Sequence, residues 1–258
     1  MSLIDPRAII DPSAKLAEGV KVGPWTIIGP DVEIGENTEI ASHVVIRKST
    51  RIGRDNKIFQ FASVGEDCQD KKYKGEETFL EIGDRNVIRE GCTLNRGTVQ
   101  DSGITKVGSD NLLMAYVHIP HDCVVGDNCI LANNVALAGH VSVGDWAILG
   151  GYTLVHQFCK IGAHAFCGTG SVVLKDVPAY VTVNGNSAVP RGTNSEGLKR
   201  RGFSEEAIAA IKRAYRITYR NGLRLEQALE ELDILAAAQP EVLPFVESLR
   251  SSTRGIVR

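Results

Sequence analysis

The stretch YVHIPHDC at 116–123 holds two histidines three apart, His118 and His121, with Asp122 directly after the second. Three chemistries suit these residue types. Histidines beside a carboxylate can ligate a metal. A neutral imidazole whose tautomer is fixed by an acid can act as a general base near pH 7. Ordinary satisfied histidines are the third reading. The spacing alone does not choose among them, so the elements that position the stretch have to.

The chain has 258 residues, 43% of them hydrophobic, and a formal net charge of -2. That length suits one large domain or one with a small appendage, and the charge balance argues against a generally basic nucleic-acid binder. No run approaches the roughly 20 apolar residues of a membrane span. The opening MSLIDPRAIIDPSAK lacks the basic flank and apolar core of a secretion signal. A cytoplasmic location is the expectation. Six cysteines form no CxxC pair, and they read as small buried hydrophobes.

An internal period organises the chain. Ile10, Leu16, Val22, Ile28, Ile34, Ile40, Ile46, Ile52, Ile58 and Val64 lie six apart. The phase slips over 66–81, resumes at Ile82, Ile88 and Leu94, and slips again across RGTVQDSGITK. It then runs unbroken from Val107 to Val173. This hexad resembles the hexapeptide repeat of parallel β-helices, in which each apolar residue points into a prism and a small residue follows at the corner. Three hexads make one coil, so residues 18 apart stack at about 4.8 Å per coil. The two slips are then polar loops thrown out of a rigid scaffold, where function often sits.

Coil arithmetic gathers the histidines. Ile119, Leu137 and Val155 share one column; His118 and His121 flank the first, His140 follows the second by three, and His156 follows the third by one. Four of six histidines therefore converge on one edge. His121 and His156 would stand about 10 Å apart along the axis, a spacing that suits a groove better than a single zinc ion. His121 with Asp122 suits a base, provided a corner turns the two side chains toward each other, because neighbours on a strand point to opposite faces.

Near Asn186 the repeat ends in a link, GNSAVPRGTNSEG, and the composition turns helical. FSEEAIAAIKRAYRITYRNG has Ser204 as N-cap and Gly222 as a stop, and two shorter helices follow. The expected organisation is a β-helix over 1–190 and a helical domain over 191–258.

The stretches HIPHDC, CILANNVALAGHVSVGDWAILGG, VHQFCKIGAH, QDKKY, NSEGLKRRGF and STRGIVR resemble the UDP-N-acetylglucosamine acyltransferase family over essentially the whole chain. The resemblance implies a left-handed parallel β-helix followed by a small C-terminal α-helical domain. It also implies a homotrimer with sites between subunits, which moves an R-3-hydroxyacyl chain to the 3-hydroxyl of UDP-N-acetylglucosamine in the first step of lipid A synthesis. The phosphopantetheine thioester of acyl carrier protein is the implied co-substrate, with no metal and no other cofactor.

Residue by residue, the resemblance makes His121 the base, Asp122 its partner and Gly139 the backbone N–H donor to the oxyanion. His118, His140, His156 and Gln157 are implied to hold sugar and acyl chain; Gln69, Asp70 and Lys72 in the first insertion to contact substrate; Asn194, Glu196, Arg200 and Arg201 to contact the nucleotide. Thr169 stands where relatives that use a fourteen-carbon chain have glycine, and its place about 2.7 coils, or roughly 13 Å, beyond His121 leads to the expectation that it shortens the acyl chain to about ten carbons. Lys199, Arg200, Arg201, Lys212, Arg213, Arg216 and Arg220 form a basic cluster suited to an acidic carrier protein. Three rivals differ in visible ways. A sugar N-acyltransferase of the same pathway would carry a uridine-binding domain ahead of the repeats, a β-helix carbonic anhydrase would hold zinc, and an ice-binding prism would repeat Thr along a face.

Overall fold

A computed structural model describes residues 3–258. The hexad becomes a triangular prism of short parallel strands in three sheets of nine, eight and ten strands. Within a typical coil each strand is two residues long, and its second residue is the apolar one of the hexad, facing inward. Ile28, Ile46, Leu113, Ile119, Leu131 and Leu149 are each fully buried, and burying such a side chain contributes about 1.5–3 kcal/mol.

The corners follow a rule of their own. The third residue after most inward apolar positions takes the left-handed conformation, as at Asn37 (φ 56°), Asp55 (φ 56°), Asp122 (φ 59°) and His140 (φ 63°). Asn and Asp tolerate that conformation through local hydrogen bonds. Here the aromatic residues Trp25, Phe61, Tyr116 and Phe158 adopt it as well.

Register is set by stacking. Ile9 pairs with Ile27 and Ile130 with Ile148, 18 apart in each case. Across the two phase slips the partners are farther apart in sequence, Ser63 with Thr93 and Thr93 with His118. The added residues leave between the strands Ser63–Glu66 and Phe79–Ile82, and between Thr93–Asn95 and Ile104–Val107. Both insertions therefore emerge from the corner between the nine- and eight-stranded sheets, the corner that also carries Asp122 and His140.

The two ends of the prism differ. At the first coil Ile10 and Leu16 are only partly buried. At the last, buried Asp176 accepts from Lys160 N–H at 2.8 Å and Ser252 O–H at 2.7 Å, while its backbone pairs with Gly255 and Val257. The C-terminal segment is thereby tied over the closing coil.

The link near 186–197 is more ordered than its Pro/Gly/Asn content predicts. Val189–Thr193 pairs antiparallel with Val181–Asn184, because the edge of the ten-stranded sheet supplies backbone partners. Asn194 then accepts from Gly197 N–H at 3.2 Å to cap α1, Ser195–Arg200. The longer helices α2 (Glu205–Tyr219), α3 (Leu225–Ala238) and α4 (Leu243–Arg250) follow. Ser204 caps α2, and α2 buries Ala207, Ala210, Ile211, Ala214 and Tyr215 on one face. All six cysteines are free and buried.

Candidate active site

The corner resolves the geometric objection to a His121–Asp122 pair. Because Asp122 is left-handed, its side chain turns back beside His121, and His121 Nδ1 lies 2.9 Å from Asp122 Oδ2. The carboxylate is fully buried, whereas the imidazole is 15% exposed. Asp122 is held from the second insertion, where Thr98 donates its N–H at 2.9 Å and its O–H at 2.6 Å. The Asp122 N–H donates to Thr105 Oγ1 at 2.8 Å. A carboxylate only accepts, so Nδ1 carries the hydrogen and Nε2 keeps its lone pair, as a base requires.

One coil along, Gly139 lies against the same ring. A Cβ on residue 139 would stand 2.5 Å from His121 Cε1 and 2.6 Å from Nε2. Only glycine leaves room for the imidazole in this position, and the buried Gly139 N–H makes no hydrogen bond among the described residues. His140 meets His121 edge-on with centroids 5.0 Å apart, and stacks on Phe158 at 4.3 Å. Its Nδ1 is 2.7 Å from Asp101 Oδ2. His118 sits on the adjoining strand face with Nδ1 2.7 Å from Thr93 Oγ1. Burial, and then the neighbouring His121, hold its imidazole below the ordinary range, so it is neutral at pH 7.

Thr98 and Asp101 carry no assignment from the sequence. The period slip marks their segment, and Asp101 is the single acid within RGTVQDSGITK, but neither partner is visible without the fold.

The other predicted residues are dispersed over one chain. Gln69, Asp70 and Lys72 are exposed on the first insertion, which leaves the same corner as His121. Its base is clamped by fully buried Arg96, which donates to Gly65 O at 2.5 Å, to the Asp67 carboxylate and to Tyr73 Oη at 3.0 Å. His156 and Gln157 are exposed two coils beyond, with His156 Nδ1 3.1 Å from the Gln157 carbonyl.

Asn194 and Arg201 are on a different corner, around His164. Asn194 donates to the His164 carbonyl at 3.0 Å, and Arg201 to His164 Nδ1 at 3.0 Å while lying over Trp146. Arg200 pairs with Glu196 at 2.9 Å. Thr169 is exposed at the third corner, beside left-handed Gly170. Of the basic cluster, Lys199, Lys212, Arg213, Arg216 and Arg220 are exposed and form no ion pair among the described residues.

His121, Asp122 and His140 offer ligand atoms within 4.8 Å of one another, the coarse requirement for a metal. The donor set is already engaged, however. Asp122 accepts from Thr98 and His121, and each Nδ1 faces a carboxylate. A carboxylate on Nδ1 fixes the ring and leaves Nε2 open, an arrangement that proton transfer at Nε2 uses and that histidine ligands of metals also show.

The C-terminal part, residues 176–257, matches the family model of UDP-N-acetylglucosamine O-acyltransferase domain 2, and residues 13–48 and 104–139 match the bacterial transferase hexapeptide model. Over all 258 residues, and all of the relative, the chain is 66% identical to the acyl-[acyl-carrier-protein]--UDP-N-acetylglucosamine O-acyltransferase of Stutzerimonas stutzeri. The chain belongs to the UDP-N-acetylglucosamine O-acyltransferase family. Solved structures agree with that membership. LpxA from Acinetobacter baumannii is 53% identical with a TM-score of 0.98, and the UDP-N-acetylglucosamine O-acyltransferase of Moraxella catarrhalis is 50% identical with 0.99, each match covering 100% of both chains. As a UDP-N-acetylglucosamine O-acyltransferase family member, the protein has the left-handed parallel β-helix of hexapeptide repeats with a C-terminal helical domain. No helix among the described residues is long and apolar enough to cross a membrane.

Proposed function

We propose that this protein transfers an R-3-hydroxyacyl chain of about ten carbons from the phosphopantetheine thioester of acyl carrier protein to the 3-hydroxyl of UDP-N-acetylglucosamine, the first step of lipid A synthesis, in the cytoplasm. The observation that carries the mechanism is the oriented pair of His121 and Asp122 with Gly139 beneath the ring. His121 Nε2 takes the proton of the sugar hydroxyl as its oxygen attacks the thioester carbonyl. The Gly139 N–H donates to the oxyanion so formed. Collapse breaks the carbon–sulfur bond, and the thiolate recovers the proton from His121. Buried Asp122 stabilises the imidazolium between the two transfers. No cofactor or metal takes part.

The dispersion of the remaining residues supports a homotrimer with sites between subunits. In one chain, Asn194 and Arg201 stand on another corner from His121, and Thr169 on a third. A neighbouring copy brings such corners together. The outward face of the ten-stranded sheet favours the same assembly, since Val87, Leu112, Ile130, Ile148 and Phe166 form a half-buried apolar ladder of the kind that packs against copies. The unpaired basic residues of α2 support docking of an acidic carrier protein.

Incubating the protein with UDP-N-acetylglucosamine and 3-hydroxyacyl carrier proteins of eight to sixteen carbons tests the reading. Acylated nucleotide sugar is expected, most rapidly near ten carbons. No product with any donor overturns it.

A further inference from the structure

We propose that Asp101, on the second insertion, is a positioning residue that withholds His140 from Asp122 and so keeps that carboxylate dedicated to His121. The proposal rests on His121 and Asp122 being the base pair argued above.

Coil stacking creates the problem that Asp101 solves. His140 follows Asp122 by 18 residues, so it occupies the same left-handed corner position one coil along. Asp122 Oδ2 is then within reach of two imidazoles, at 2.9 Å from His121 Nδ1 and 3.9 Å from His140 Nδ1. The same oxygen also accepts from the Thr98 hydroxyl. A further donor would stretch the bond that orients the base.

Asp101 Oδ2, at 2.7 Å, gives His140 Nδ1 a nearer acceptor. The other ring contacts of His140, stacking on Phe158 and the edge of His121, do not choose which carboxylate receives the hydrogen. Without Asp101, Asp122 is the nearest carboxylate left, and a shift of about 1 Å would bring His140 onto it. Displacements of that size at a reacting group cost on the order of 100-fold in rate when complete. The second insertion thus acts at two points, with Thr98 holding the carboxylate and Asp101 holding its competitor.

The Asp101 carboxylate is about half exposed, so substitutions there leave the core intact. In the full-length protein labelled with 15N, imidazole signals without substrate read the two tautomers directly. In wild type, His121 and His140 each show a single Nδ1–H tautomer. In Asp101→Ala, the His121 signals become those of a mixed tautomer, and kcat falls about tenfold with the Michaelis constant for the nucleotide sugar within about twofold. In Asp101→Asn, whose amide oxygen accepts the same bond, the His121 signals and the rate return to within about threefold of wild type. Unchanged His121 signals in Asp101→Ala overturn the proposal, whatever the rate does. So does a risen Michaelis constant at constant kcat, the outcome of a loop that merely frays. The spectra need no substrate, so absence of acyl transfer in wild type would count against the proposed activity and leave the role of Asp101 to the tautomers.

Discussion

The His121 imidazole lies against Gly139, with Nε2 2.6 Å from where a side chain on that residue would begin. Gly139→Ala must therefore displace the ring. The ring can rotate away, so the melting temperature should change little while kcat falls about 100-fold, the scale for a misplaced reacting group. Steady-state kinetics beside a thermal melt check this; an active alanine variant would mean the ring is not used where it stands.

His121→Ala should lose more than about 100-fold in turnover, the usual contribution of a positioned base, with fold and assembly preserved because the side chain lines the corner instead of filling the prism. Retention of a tenth of the wild-type rate, measured with the acyl-transfer assay, would remove His121 from the base role.

Arg201 and Arg200 should differ despite adjacency. The Arg201 guanidinium faces neutral His164 and Trp146 and forms no ion pair among the described residues, whereas Arg200 is paired with Glu196 in solvent. Arg201→Ala should raise the Michaelis constant for the nucleotide sugar about tenfold with less effect on kcat, as expected for a charged contact made equally in ground and transition states. Arg200→Ala should do less. Equal losses in kcat alone would place both residues away from the nucleotide.

Thr169→Gly should shift donor preference from about ten carbons toward fourteen, because each further methylene admitted to an apolar channel is favourable by about 0.8 kcal/mol. Relative rates with ten- and fourteen-carbon donors decide it. An unchanged ratio means Thr169 is not the stop.

His164 predicts a pH effect on stability. Burial, and then the Arg201 charge, press its folded value down to about 4 from 6.5. The folded protein stays neutral there while the unfolded chain takes up a proton. Stability should consequently fall as pH drops from about 6.5 toward about 4. Denaturant unfolding at pH 7 and pH 5 should show a smaller loss for His164→Gln than for wild type; identical losses would assign the effect to other groups.

Legibility in the sequence followed periodicity. The prism could be read because inward residues such as Ile119 and Leu137 recur at a fixed interval, and the clustering of His121 with His140 followed from the same count. The same sequence carries a second periodic signal. Asn, Asp, His or an aromatic residue stands three after most inward positions, marking the left-handed corners that turn Asp122 toward His121. The contacts of Thr98, Asp101 and Arg96 were not legible, because they arise where aperiodic insertions fold back on the coils. The strand Val189–Thr193 was hidden because its pairing depends on an open sheet edge, which overrides a composition of Pro, Gly and Thr.

The unequal ends of the prism give the molecule a direction of wear. Within one chain each coil is braced along the axis by its neighbours, so opening spreads from an end, and among the described residues the less covered end is the one where Ile10 and Leu16 are only partly buried. The strand bearing His118 is sixth along its sheet from that end. Five coils must peel away before a breath of the amino-terminal end reaches His121, so much of the repeat array serves as insulation for the chemistry beyond it.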